Sequence, residues 1–196
     1  YAIELGLVGS EMCISDSIRV LSHPSVASKS FLITIGDRSV GGLVARDQLV
    51  GRYQVPTSNY AMSTKSFLSN EGDVLSIGEK PTLAIKNPAA SLRMALAEAL
   101  TNLVSAPVKN LNLVRLSANW MAACGDEKEN HALRVGVEAL SSMCIKLGIA
   151  IPVGKDSLSM RTKWTENRQE LEVKSPLSGI ILSLIHISEP TRPSSI

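Results

Sequence analysis

Between two prolines the chain carries an apolar stripe that only one local structure explains. In the segment Pro88–Ser105, Leu92, Leu96, Leu100 and Leu103 recur at helical spacing. Asn87 is placed to cap the first turn, Pro88 suits the first helical position, and Pro107 stops the run. A helix of this length with one apolar stripe must bury that stripe against another layer. The sequence on either side supplies the layer. Phe31–Ile35 is a β-branched apolar run that reads as a strand, Tyr60–Ser66 is a weaker strand, and Leu111–Leu116 and Ile149–Val153 read as strands, the last of buried type. A second helix is expected over about Asn130–Leu147, with Leu133, Val137, Leu140, Cys144 and Leu147 on one face and Gly148 as its C-terminal cap. Leu158–Trp164 and Glu170–Val173 flank a polar turn and read as a hairpin, and Ile14–Leu21 reads as a short helix. The alternation of strand and helix argues for an α/β or α+β domain, a mixed sheet with helices packed on it.

The 196 residues are 44% hydrophobic and 19% charged, enough for a globular core of one domain or slightly more. A net charge of +2 gives no case for a nucleic-acid or membrane-surface partner. No apolar run approaches the roughly 18 residues of a membrane span. Cys13, Cys124 and Cys144 lack CxxC spacing and, like the scattered His23, His131 and His186, offer no zinc or disulfide pattern. Reduced thiols and a cytoplasmic setting are expected. Because Tyr1 is not an initiator methionine, further chain is expected ahead of it. SPLSGIILS reads as a buried strand, whereas the tail Leu184–Ile196, LIHISEPTRPSSI, has no periodicity and resembles translated adapter sequence. It is expected to be non-native and to cost little on removal.

Four segments could carry chemistry. In EALTN, Glu98 and Asn102 stand four apart and share a helix face; a carboxylate and an amide oxygen are hard ligands suited to magnesium. In IPVGKDSLSM, Gly154 lets backbone approach a phosphate, Lys155 adds a point charge and Ser157 a hydroxyl, although the P-loop spacing is absent. GDRSVGGLVARDQLVG sets Arg38 and Arg46 in glycine-rich backbone able to cradle an anion. In LSANWM, Asn119 and Trp120 would follow a strand end, where ligands bind in α/β sheets. Taken singly, each also fits a plain structural part: a solvated helix face, a hairpin turn, a loop salt bridge, a core tryptophan. No GxSxG, GxGxxG or Ser-His-Asp arrangement is present.

Taken together, FLITIGDRSVGGLVARDQLVGRYQVP, IGEKP, AEALTN, RLSANWMAA, IPVGKDSLSM and SPLS resemble, in order and spacing, the second synthetase half of the long single-chain phosphoribosylformylglycinamidine synthase family. The resemblance covers Val26 to Ser183. Residues 1–25 match poorly and read as a linker or the end of a preceding unit, and 184–196 do not match.

The resemblance implies half of an ATP-dependent aminoimidazole-ribonucleotide-synthetase-like fold, incomplete here, whose α/β halves pair across a shared sheet interface. It implies an ATP-dependent ligase that converts formylglycinamide ribonucleotide to the amidine with ammonia from a separate glutaminase domain. ATP or ADP and Mg2+ are the implied cofactors. By position, Ser58, Gly154 and Lys155 fall on nucleotide contacts, Ser157, Arg38 and Arg46 are assigned to substrate, and Glu98, Asn102 and Asn59 fall on the metal. Asn59 replaces the usual aspartate and so lacks its charge. Lys155 stands where shorter members carry an asparagine ligand, and a protonated lysine cannot ligate a metal. The catalytic histidine, a later metal-binding aspartate and the glutaminase nucleophile are not in this chain. A half that binds only a structural nucleotide, and a related small-molecule kinase or synthetase, are the alternatives.

Overall fold

The computed structural model describes residues 14–24, 26–28, 30–35 and 42–187. The chain separates into two compact units, Tyr1–Arg38 and Ser39–Ile196. The boundary expected near residue 26 lies inside the first unit.

In the first unit, residues 14–22 form helix α1 and Ser30–Ile35 form α2. The strand expected at Phe31–Ile35 is therefore corrected. Four apolar residues and a threonine carry no periodicity that separates strand from helix. Ser28 stands just ahead, and its Oγ accepts from Ser30 N at 3.4 Å.

The second unit is a six-stranded mixed sheet with helices on one face. Its strands are β1 (Val44–Arg46), β2 (Ala61–Thr64), β3 (Gly72–Gly78), β4 (Arg115–Met121), β5 (Ala150–Ser157) and β8 (Ser178–Ile187), in the order β1-β2-β3-β8-β4-β5. Every neighbouring pair is antiparallel except β4 and β5, which are parallel and joined by the crossover helix α5 (Glu127–Leu147). A separate hairpin of β6 (Arg161–Glu166) and β7 (Gln169–Lys174) follows β5. Its two turn residues, Asn167 (φ 49°) and Arg168 (φ 65°), both take the left-handed conformation that a tight hairpin turn requires.

Helix α4 (Pro88–Leu103) sits on β3 and β8 and against α5. Asn87 accepts from Ala90 N at 2.9 Å, as its cap position predicts. The core lies between this helix layer and the sheet: Leu92, Leu96, Ala99 and Leu103 meet Val74, Leu116, Ala118, Ile181 and Ile185. Short α3 (Pro81–Ala84) leads from β3 into α4. Helix α5 begins three residues earlier than expected because Asp126 caps it, accepting from Lys128 N and Glu129 N. Its hydrogen bond with Lys174 of β7, followed by that cap, holds the Asp126 carboxyl below the ordinary value. Gly148 ends the helix at φ 68°. Leu140 and Cys144 are buried, and burial pushes the Cys144 thiol up, whereas Val137 and Leu147 lie toward the rim.

Four further strand readings change. Leu111–Leu113 is a turn of 3-10 helix, with Asn110 Oδ1 accepting from Asn112 N, so β4 starts at Arg115 and carries Asn119 and Trp120 within it. Strand β5 is an exposed edge rather than a buried strand, because only β4 flanks it; Val153 is 61% exposed. The sequence reading did not find β3. The break expected at Leu184 is also absent: β8 continues to Ile187, Leu184 pairs with Leu75 and with Arg115, and Ile185 is buried. Residues 188–196 lie outside the described residues.

Candidate functional site

The alternation of β3 fixes what its end can hold. Val74, Ser76 and Gly78 face α4, while Ile77 points to the other face and is 53% exposed. Ser76 Oγ donates to Ala99 O of α4 at 2.6 Å and meets Ser183 Oγ of β8 at 2.5 Å. Gly78 allows the closest approach: a methyl group there would stand 2.1 Å from Ala95 O and 2.5 Å from Ala99 N. Helix and strand are thus pressed together at backbone distance just where EALTN lies.

Glu98 and Asn102 point from α4 to this strand end, not into the apolar core. Asn102 Nδ2 donates to Ile77 O at 3.0 Å. Glu98 Oε2 accepts from Glu79 N at 3.1 Å and pairs with Lys80 Nζ at 3.0 Å. Lys80 O in turn accepts from Ser91 Oγ at 2.6 Å. On the other face, Asn59 lines a shallow depression of about 270 Å³ with Ser58, Tyr60, Leu75, Ile77 and Leu182. Asn59 and Asn102 therefore flank one strand residue, Ile77, from opposite sides. Ser58 Oγ donates to Tyr60 O at 2.6 Å and accepts from Arg46 Nε at 2.7 Å, and the Arg46 guanidinium lies 4.5 Å from the Tyr60 ring centre. Arg38 lies outside the described residues.

The remaining candidates sit in β5. Gly154, Lys155 and Ser157 are all within the strand rather than in a turn beyond it, which corrects the expected layout. A methyl group on Gly154 would meet Ala118 O at 2.6 Å, so tight pairing with β4 accounts for this glycine without any phosphate. Lys155 Nζ donates to Ser157 Oγ at 2.7 Å. Lys155 pairs with Asn119 of β4, whose buried Oδ1 has no hydrogen-bond partner.

Sheet register shows how these groups are arranged. Gly78 pairs with Ile181, Ile181 with Ala118, and Ala118 with Gly154. The last residue of β3 is therefore level with the middle of β4 and β5, which run three residues further, and about 14 Å separates β3 from β5 at normal strand spacing. Asn119, Lys155 and Ser157 lie along β4 and β5, whereas Glu98 and Asn102 reach the end of β3 from α4, two strands away from β4. They do not share one coordination sphere. Ser58 and Arg46 belong to the opposite edge of the sheet from β5.

A hard divalent ion fits the Glu98 and Asn102 end by donor chemistry: Asn102 spends its amide nitrogen on Ile77 and keeps its oxygen, and the Glu98 carboxylate is 34% exposed. Two donors are fewer than such an ion needs. Among the described residues, no three His, Cys, Asp or Glu side chains cluster as a metal site. Lys80 was missed as a site residue, and the unpartnered oxygen of Asn119 was not foreseen. Lys80 lay in plain view in IGEKP, but no spacing ties it to Glu98, since their pairing depends on the turn into α4.

The PurLQS structure from Thermotoga maritima is similar to this chain with a TM-score of 0.59 at 16% identity, over 84% of this chain and 24% of that one. Thermotoga maritima PurL complexed with ADP, and the same protein complexed with FGAR, each match with a TM-score of 0.50 at 16% identity, over 68% of this chain and 20% of theirs. At that identity the likeness shows a shared fold, and this chain spans about a quarter of the PurLQS chain. No helix among the described residues is long and apolar enough to cross a membrane. A family model described as the FGAR-AT PurM_N-like domain matches residues 28–185, most of the chain, and the protein belongs to that family.

Proposed function

We propose that this chain is the second synthetase half, in part, of a longer phosphoribosylformylglycinamidine synthase. That enzyme converts the amide of formylglycinamide ribonucleotide to an amidine, using ATP and glutamine-derived ammonia in the cytoplasm. One observation carries the reading: family membership over residues 28–185 coincides with Glu98 and Asn102 presented together from α4 at the end of β3, outside the apolar core. In this reading Glu98 and Asn102 hold Mg2+, with Asn59 offering a neutral oxygen across Ile77. The ion, when bound, offsets the charge of nucleotide phosphates. Ser58 lies beside the nucleotide, and its hydroxyl is oriented by Arg46. Arg46 and, from outside the described residues, Arg38 serve an anionic substrate, as does Ser157. Lys155 supplies a cation to the nucleotide beside Gly154, on the edge of β5 that no strand covers.

The test uses the longer protein that contains this chain. It should form the amidine from formylglycinamide ribonucleotide, ATP and glutamine, while the 196-residue chain alone should give none, even with ammonia. Absence of turnover in the longer protein would end the reading. A second reading, a structural half holding an auxiliary nucleotide, is favoured by Asn59 in place of a carboxylate. It would be chosen if Glu98→Gln lost copurifying nucleotide but kept turnover per folded enzyme.

A further inference from the structure

The ion pair between Lys80 and Glu98 places a cation where a metal ligand is expected. Lys80 Nζ lies 3.0 Å from Glu98 Oε2, and the same oxygen accepts from Glu79 N at 3.1 Å. Both contacts fall on one carboxylate oxygen. The backbone of Lys80 is fixed, because its carbonyl accepts from the Ser91 hydroxyl and Pro81 opens α3 directly after it. Its ammonium is not fixed in the same way: the side chain is 41% exposed and the pair is open to solvent. Lysine is a point charge on a flexible stem, so it can leave one anion for another without moving the backbone. By contrast, Asn102 is tied to Ile77 O through its nitrogen and has no such freedom.

We propose that Lys80 is a further functional cation of this site. It neutralises Glu98 when no metal is bound, and it turns to the phosphates of a nucleotide when a divalent ion takes the carboxylate. The inference rests on the metal role of Glu98 put forward above. A divalent ion at Glu98 repels the ammonium 3.0 Å from that carboxylate. A metal-bound polyphosphate brings more negative charge than the ion neutralises, and it offers the displaced ammonium a new partner. Lys80 therefore opposes free metal and favours metal carried with a nucleotide, which selects for the complex over the bare ion.

The test follows Mn2+ by the loss of its free electron-paramagnetic-resonance signal, in the whole chain, with and without ADP. Lys80→Met should bind free Mn2+ about 2- to 5-fold more tightly, the scale of one exposed ion pair removed. The same variant should bind Mn-ADP more weakly by about 10-fold or more, the lower end of one charge-assisted hydrogen bond lost. Lys80→Arg should restore the ADP complex and controls for folding. Opposite signs for the two ligands are the signature, since a merely structural lysine would weaken both. Changes of the same sign, or none, overturn the role of Lys80. Glu98→Gln separates the two levels: if it leaves Mn2+ affinity unaltered, the metal reading itself fails. If it weakens Mn2+ while Lys80→Met does not split the two ligands, only the lysine role falls.

Discussion

The end of β3 and the end of β5 belong to the same sheet and both carry candidate ligand groups, yet they are built differently. At β3, Ser76 is tied to Ala99 O and Ser183, Gly78 touches the backbone of α4, and Asn102 and Glu98 clasp Ile77 and Glu79. Strand β8 flanks β3 on one side and β2 on the other. At β5, one neighbour supports the strand, most of its residues are exposed, and the Lys155–Ser157 contact stands alone beside an unpartnered Asn119 oxygen. A group held from several directions keeps its geometry without ligand; a group held by one flexible contact acquires it on binding. The β3 end is preorganised, and the β5 end depends on what comes to meet it.

The contrast breaks first at Gly78. Gly78→Ala should cost about 3 kcal/mol in urea unfolding, at the upper range of overpacking, because the new methyl meets helix backbone and not a movable side chain. An unchanged midpoint would mean that α4 can lift from β3 and that the seam is not rigid. Next comes the buried hydroxyl pair. Ser76→Ala should cost about 1–3 kcal/mol by leaving the Ser183 hydroxyl without its good partner. Adding Ser183→Ala should then cost less than the sum of the two single changes, as expected for groups that satisfy each other. Strict additivity in a double-mutant cycle would dissolve the pair as a unit. The smallest effect belongs to β5: Lys155→Met should shift stability by no more than about 0.5 kcal/mol, as exposed substitutions do. A loss as large as at Ser76 would erase the distinction between the two ends.

Local signals in the sequence carried the helices. The leucine stripe with its Asn87-Pro88 start located α4, and the Gly148 stop located the end of α5, because caps and 3.6-residue periodicity are encoded within one segment. Strands were legible at alternating or apolar stretches and where a polar turn marked the hairpin. GDVLSIG did not read as a strand, since its core face is Val74, Ser76 and Gly78 and two of these are small or polar. What makes Ser76 and Gly78 suitable is a helix that arrives later in the sequence, which no local pattern records. SFLITI misled in the other direction, its β-branched residues lying in a helix. For the site, the shared face of Glu98 and Asn102 was readable from their spacing, but what that face meets was not. The orphaned Asn119 oxygen and the Lys80 contact arise from tertiary register, so they appear only once the strands are aligned.

The place of β8 has a consequence for the order in which this fold can assemble. It is the last strand of the sheet in sequence, yet it runs between β3 and β4 and pairs with both along most of its length. Until it arrives, β1–β3 and β4–β5 are two separate ribbons, each presenting an unpaired edge, and α4 has only part of its seat. A chain emerging from the ribosome would hold these open edges until residues 178–187 are available to close them. Pairing so distant in sequence makes for slow folding. The interval before closure is when such a chain is most exposed to strand-to-strand association with its neighbours, and when chaperone protection would count most.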